Sequence, residues 1–106
     1  MIYELRTYRP APGANELLHK RFSKSILSFF KTHSIESVGF WTDFSGQLVY
    51  LVRFRNEEER QRSWASLRND PDFLTDRAQY EQIFGGPLVI KRNSIVLKPT
   101  SYSPLV

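Results

Sequence analysis

The sequence predicts an α+β fold, a ferredoxin-like β-α-β-β-α-β chain with a four-stranded antiparallel sheet. Three observations lead there. At 106 residues the chain has room for one core only. Segments of period two and of period three to four follow one another as strand, helix, two strands, helix, strand. Right-handed crossovers in that order put both main helices on one face of the sheet and leave the other face bare.

Taken in order, the aromatic and β-branched run from Ile2 to Arg9 reads as the first strand, closed by Pro10-Ala11-Pro12-Gly13. Leu18, Phe22, Ile26, Phe29 and Phe30 then recur at spacings of three and four with lysines and arginines between them, an amphipathic helix of about five turns ending at His33. Val38 to Asp43 and Gln47 to Phe54 read as a hairpin across Ser45-Gly46. Asn56 is a good N-cap, and Glu57, Glu58 and Glu59 behind it complement the dipole of a helix that runs to about Asn69. Asp70-Pro71 reopens as N-cap and first-turn proline, and Phe73, Arg77, Tyr80 and Phe84 share a face until Gly85-Gly86-Pro87 stops the helix. Leu88 to Leu97 is the last strand. Residues 1–98 make the domain, and 99–106 are an extended arm of it that either docks, across a partner subunit and its pocket, or frays.

In the third strand Leu48, Tyr50, Val52 and Phe54 point one way while Val49, Leu51, Arg53 and Arg55 point the other, so the bare face is half apolar. Trp41 opposes Phe40 in the second strand and adds to it. A second copy of the same sheet is the economical cover, and a homodimer is expected.

Composition excludes several classes. Hydrophobic residues at 41% and charged residues at 25% describe a folding domain. The absence of cysteine removes disulfide scaffolds, thiolate nucleophiles and thiolate zinc sites. The longest apolar run, Leu48 to Val52, is far short of the roughly 20 residues that span a bilayer, so no membrane span is expected. The opening residues carry no signal-like core, and a cytoplasmic location is expected. A net charge of +4 is consistent with an anionic partner. No phosphate loop, nucleophile elbow or dinucleotide fingerprint occurs, and the two histidines stand 14 positions apart on one helix and offer no converging ligand set, so no cofactor and no metal is expected. RNA-recognition domains share this element order, and Tyr3, Tyr50 and Phe54 could imitate their stacking residues. The third strand lacks the glycines of that motif and the arginines of the second helix sit among glutamates, so no nucleic-acid partner is expected.

Several segments together resemble the NIPSNAP family: Ile2-Tyr3-Glu4-Leu5-Arg6-Thr7-Tyr8, Pro12-Gly13 before a long helix, Gly39-Phe40-Trp41, Asn69-Asp70-Pro71, and the close Leu97-Lys98-Pro99-Thr100-Ser101-Tyr102-Ser103-Pro104-Leu105. The resemblance runs end to end and is to the short, single-domain bacterial members. It implies a dimeric α+β barrel, two ferredoxin-like sheets closed on each other, a fold shared with cofactor-free monooxygenases, heme-degrading enzymes and small isomerases. It brings no agreed catalytic set.

Candidate site residues follow from position. Glu4, Arg6 and Tyr8 form a charged row on one face of the first strand, where Arg6 can hold a carboxylate or phosphate, Glu4 tune it and Tyr8 donate. The competing reading is a structural Glu4–Arg6 ion pair, with Arg53 as a further member. His33, near a helix C-terminus, is the acid/base candidate against a capping role, and only fold analogy supports a heme at it. Trp41, Trp64 and Tyr80 are candidate walls of a helix–sheet cavity. Three functions stay open: binding of a small anionic or aromatic metabolite, with or without cofactor-free oxygenase or isomerase chemistry on His33, Arg6 and Tyr8; a protein–protein platform; and RNA binding.

Overall fold

The computed structural model describes residues 1–106. Strand β1 (Ile2–Pro10) is followed by α1 (Asn15–Arg21), a π-helical turn (Phe22–Ile26) and α2 (Leu27–Thr32), which run on as one helix. The hairpin β2 (Glu36–Thr42) and β3 (Leu48–Phe54), the helices α3 (Glu57–Arg68) and α4 (Pro71–Phe84), and β4 (Val89–Leu97) complete the chain. The strand order is β2-β3-β1-β4 with every pair antiparallel, so the α+β ferredoxin-like arrangement is present as expected.

The π turn refines the expected uniform first helix. Leu18, Phe22, Ile26 and Phe30 are all buried at steps of four. In an α-helix of about 3.6 residues per turn such steps drift around the axis, and one wider turn takes up the drift. Ser34 then ends the helix in the left-handed region at φ 59, with the Ile35 amide donating to the Phe30 carbonyl at 2.8 Å.

The caps read from sequence are formed. Asn56 Oδ1 accepts from the Glu59 amide at 2.9 Å, and Asp70 Oδ1 accepts from the Asp72 amide at 2.9 Å with Pro71 opening α4. Gly85, at φ 94, closes α4 in the left-handed conformation that a side chain disfavours. The second strand begins two residues earlier than the sequence pattern, at Glu36, with a register shift between Ser37 and Gly39.

Alternation in β3 is realised. Leu48, Tyr50, Val52 and Phe54 are buried under the helices and join Leu18, Phe22, Ile26, Phe30, Trp64 and Leu67 in one core. The opposite face carries the row Gly39, Leu51, Leu5 and Ile95 across the four strands, with the Trp41 indole lying against Gly39 where a Cβ would stand. Ile95 and Trp41 are both more than half exposed. Beyond β4 the arm makes a turn, the Ser103 amide donating to the Thr100 carbonyl, and reaches its own chain's first strand, where Tyr3 Oη donates to the Val106 carbonyl at 2.9 Å. Tyr3 therefore lies on the face opposite Tyr50 and Phe54, and the three do not make one stacking platform.

Candidate functional site

Beneath the helices, against β1, β3 and β4, lies a cavity of about 300 Å³. Its sheet side comes from all three strands, with Val89 and Arg92 on β4. Arg6 and Tyr8 stand on β1 and Tyr50 on β3, all on the helix face by strand parity. Phe22 and Phe30 from the first helix and Trp64 from α3 close over them. The rings interlock edge to face: Tyr8 and Tyr50 at 5.3 Å between centroids and Phe30 and Trp64 at 5.8 Å.

The polar part is built on Glu4, which is 1% exposed. Its Oε1 accepts from Trp64 Nε1 at 2.8 Å and Arg60 Nη1 at 2.9 Å, and its Oε2 from Arg6 Nη1 at 2.8 Å and Ser94 Oγ at 2.7 Å. Burial alone would push this carboxyl up. The donors from Ser94, Arg60 and Trp64 and the charge of Arg6 outweigh it and hold Glu4 below the usual carboxylate range. Arg6 is fixed in turn, its Nε donating to Tyr8 Oη at 3.1 Å and its guanidinium carbon 4.4 Å from the Trp64 ring centroid. Tyr8 and Tyr50 share a hydrogen bond of 2.8 Å between their hydroxyls. Burial pushes the Tyr50 phenol well above its ordinary range, reinforced by Tyr8, so it stays protonated and serves as a hydrogen-bonding group and not as a base.

The structure thus brings Glu4, Arg6, Tyr8 and Trp64 together and separates the other three candidates from them. His33 caps the first helix away from the cavity, its Nδ1 bonded to Ser66 Oγ and its Nε2 to Asp70 Oδ2, both at 2.7 Å. The contact holds Asp70 below its usual range, helped by the Asp72 amide. Trp41 is on the exposed sheet face, because its neighbour Phe40 takes the inward position opposite Tyr50. Tyr80 packs half-buried against the core on α4 and does not line the cavity. Arg53 pairs with Glu36 on that same exposed face and is no part of the Glu4 network.

A profile of the NIPSNAP family matches residues 3–104. The chain belongs to the NIPSNAP family. Among solved structures, a NIPSNAP family protein of unknown function from Agrobacterium tumefaciens is 27% identical, with a TM-score of 0.85 over 100% of this chain and 94% of that one. An uncharacterised NIPSNAP domain protein from Burkholderia xenovorans is 20% identical, with a TM-score of 0.82 over 98% and 99%. At 11% identity, a monooxygenase of Streptomyces coelicolor crystallised with nanaomycin D superposes with a TM-score of 0.66 over 96% and 89%, which shows a shared fold. No curated protein matches the sequence.

Four cavity residues of this NIPSNAP chain, Arg21, Arg68, Arg77 and Arg92, are not legible as site residues in the sequence because they come from α1, α3, α4 and β4 and meet only in the folded state. Arg21 does carry a signal. It sits three residues after Leu18 and one before Phe22, in the buried phase of its helix, where a cation is out of place. His33→Ala is expected to lower Tm, because it releases α2 from the start of α4, while ligand retention in the cavity is unchanged. A thermal melt paired with native mass spectrometry checks both. The His33–Asp70 tie is present above the unfolded carboxylate pKa near 3.8 and is lost as pH falls through the depressed folded value.

Proposed function

We propose that this NIPSNAP protein is a homodimeric α+β barrel that binds a small metabolite, anionic or aromatic, in the helix–sheet cavity of each subunit. The single observation that carries the binding reading is the cavity itself. In it apolar walls and several guanidinium groups meet beside the buried Glu4 network, whereas the groove of about 380 Å³ beside Ile35, Arg53 and Glu59 is lined mostly by polar side chains. Dimerisation is supported by the apolar row across the outer sheet face and by the assembly that the family resemblance implies.

The cavity's sheet side offers donors and cations. Tyr50 is held protonated, Arg6 is locked on Glu4, and His33 lies elsewhere, so binding is a better account of these groups than acid/base turnover. The monooxygenase neighbours supply a fold analogy for oxygenase chemistry and nothing more.

Native mass spectrometry on protein taken straight from cells tests both halves at once. The expected result is a dimer carrying up to one small adduct per subunit, lost on mild activation. A monomer overturns the barrel, and a dimer of bare mass that also gains no thermal stability from a library of small acids and aromatic compounds overturns the binding role.

A further inference from the structure

The cavity's arginines fall into two kinds. Arg6 is engaged on every side described, by Glu4, Tyr8 and the Trp64 ring. Arg21 is not. It is 6% exposed, its Nε donates to Asp76 Oδ2 at 2.9 Å, its guanidinium carbon is 5.3 Å from the Phe73 ring centroid, and its Nη2 is a buried side-chain nitrogen with no hydrogen-bond partner. No other buried side-chain polar atom is left so.

An unpartnered buried N–H carries the full cost of its lost hydration, and on a cation that cost is greater still. Closed off from bulk water, Nη2 has to find its acceptor inside the protein or in something that enters the cavity Arg21 lines. The surrounding charge selects the kind of acceptor. Arg68, Arg77 and Arg92 line the same cavity without an ion-pair partner, and the carboxylates near it, Glu4 and Asp76, are taken up by Arg6, Arg60 and Arg21. The cavity therefore holds more cationic than anionic charge behind aromatic walls, and an anionic group entering it gains in strength from the low dielectric.

Resting on the reading that this cavity binds a small molecule, we infer that its ligand is an aryl carboxylate whose acid group is received by Arg21 Nη2 within the arginine cluster. Its ring system lies against Phe22, Phe30 and Trp64. Arg6, the obvious anion anchor from sequence, positions Tyr8 and neutralises Glu4 instead.

Isothermal titration of the full chain with 2-naphthoate, and with 2-naphthylmethanol as its uncharged counterpart, tests this. Wild type is expected to bind the acid at least tenfold more tightly than the alcohol. Arg21→Lys, which keeps the charge and a partner for Asp76 but removes the second guanidinium corner, is expected to lose at least tenfold for the acid and to bind the alcohol unchanged. Equal affinity of wild type for acid and alcohol overturns the inference and leaves the cavity reading standing, as does an equal loss of both ligands in Arg21→Lys, which marks a packing role. Failure of wild type to bind either compound overturns the cavity reading as well. The Arg21 Nη–H resonances of wild type read the same contact without a substitution: they shift with the acid and stay with the alcohol, and resonances unmoved by the acid overturn the inference even where the lysine variant does not fold.

Discussion

Glu4→Gln is expected to destabilise the protein by about 3 kcal/mol, a fall in Tm on the order of 10 °C, the largest effect of any single isosteric change in this chain. The reason is the number of donors that meet on one carboxylate. Trp64, Arg60, Arg6 and Ser94 all give hydrogen bonds to it, and two of them are cations. The amide keeps the shape, yet it brings an N–H₂ toward a donor, leaves Arg6 without a countercharge and leaves Arg60 with Glu57 alone. Urea melts of both forms decide the matter, and coincident midpoints would remove the network from any role in stability. The pH dependence carries the same sign. Because the folded carboxyl lies below its ordinary value, its contribution is complete above the unfolded pKa near 4.5 and disappears as pH falls through the folded one. The Gln variant should therefore show a flatter stability profile in acid than wild type.

Leu51→Glu is expected to convert the proposed dimer to monomers, raising the dissociation constant at least about 100-fold, or about 2.7 kcal/mol. Leu51 sits mid-row on the outer sheet face between Gly39 and Leu5, so a two-fold axis through that face buries two new carboxylates with no partner. Within one subunit the side chain points away from the helices and the core, and circular dichroism should be unchanged. Sedimentation equilibrium provides the readout. A variant that sediments as wild type does would place the subunit contact somewhere other than this sheet.

Both predictions rest on features of unequal legibility. The sheet is readable because β3 alternates without a break, and the helix starts because Asn56 and Asp70-Pro71 are local signals that need no tertiary information. Glu4, Arg6 and Tyr8 are readable as a row for the same reason of parity, but not their partners, since Arg60, Trp64 and Ser94 are distant in sequence and reach Glu4 only through packing. His33 illustrates the opposite failing. Its position at a helix end is plain, whereas the group it meets there, Asp70, reads in sequence only as a cap. The π turn is hidden in a spacing pattern: steps of four from Leu18 to Phe30 fit an α-helix over any one turn, and only the drift accumulated over three of them demands a wider one. Trp41 lies in the expected strand but on the side of the sheet away from the cavity, because parity places Phe40, and not Trp41, under the helices.

The central place of β1 has a kinetic consequence. The first strand made pairs with β3 on one side and with β4 on the other, in contacts such as Tyr3 with Leu97 that span nearly the whole chain. Closing so long a loop is entropically slow, so the β2–β3 hairpin and the helices are expected to form ahead of the last pairing. Val89, Arg92 and Ser94 arrive with that final strand and complete the cavity and the Glu4 network together. Binding competence is then the last property the chain acquires as it folds, and a bound molecule can slow the unfolding of the finished protein without having guided its assembly.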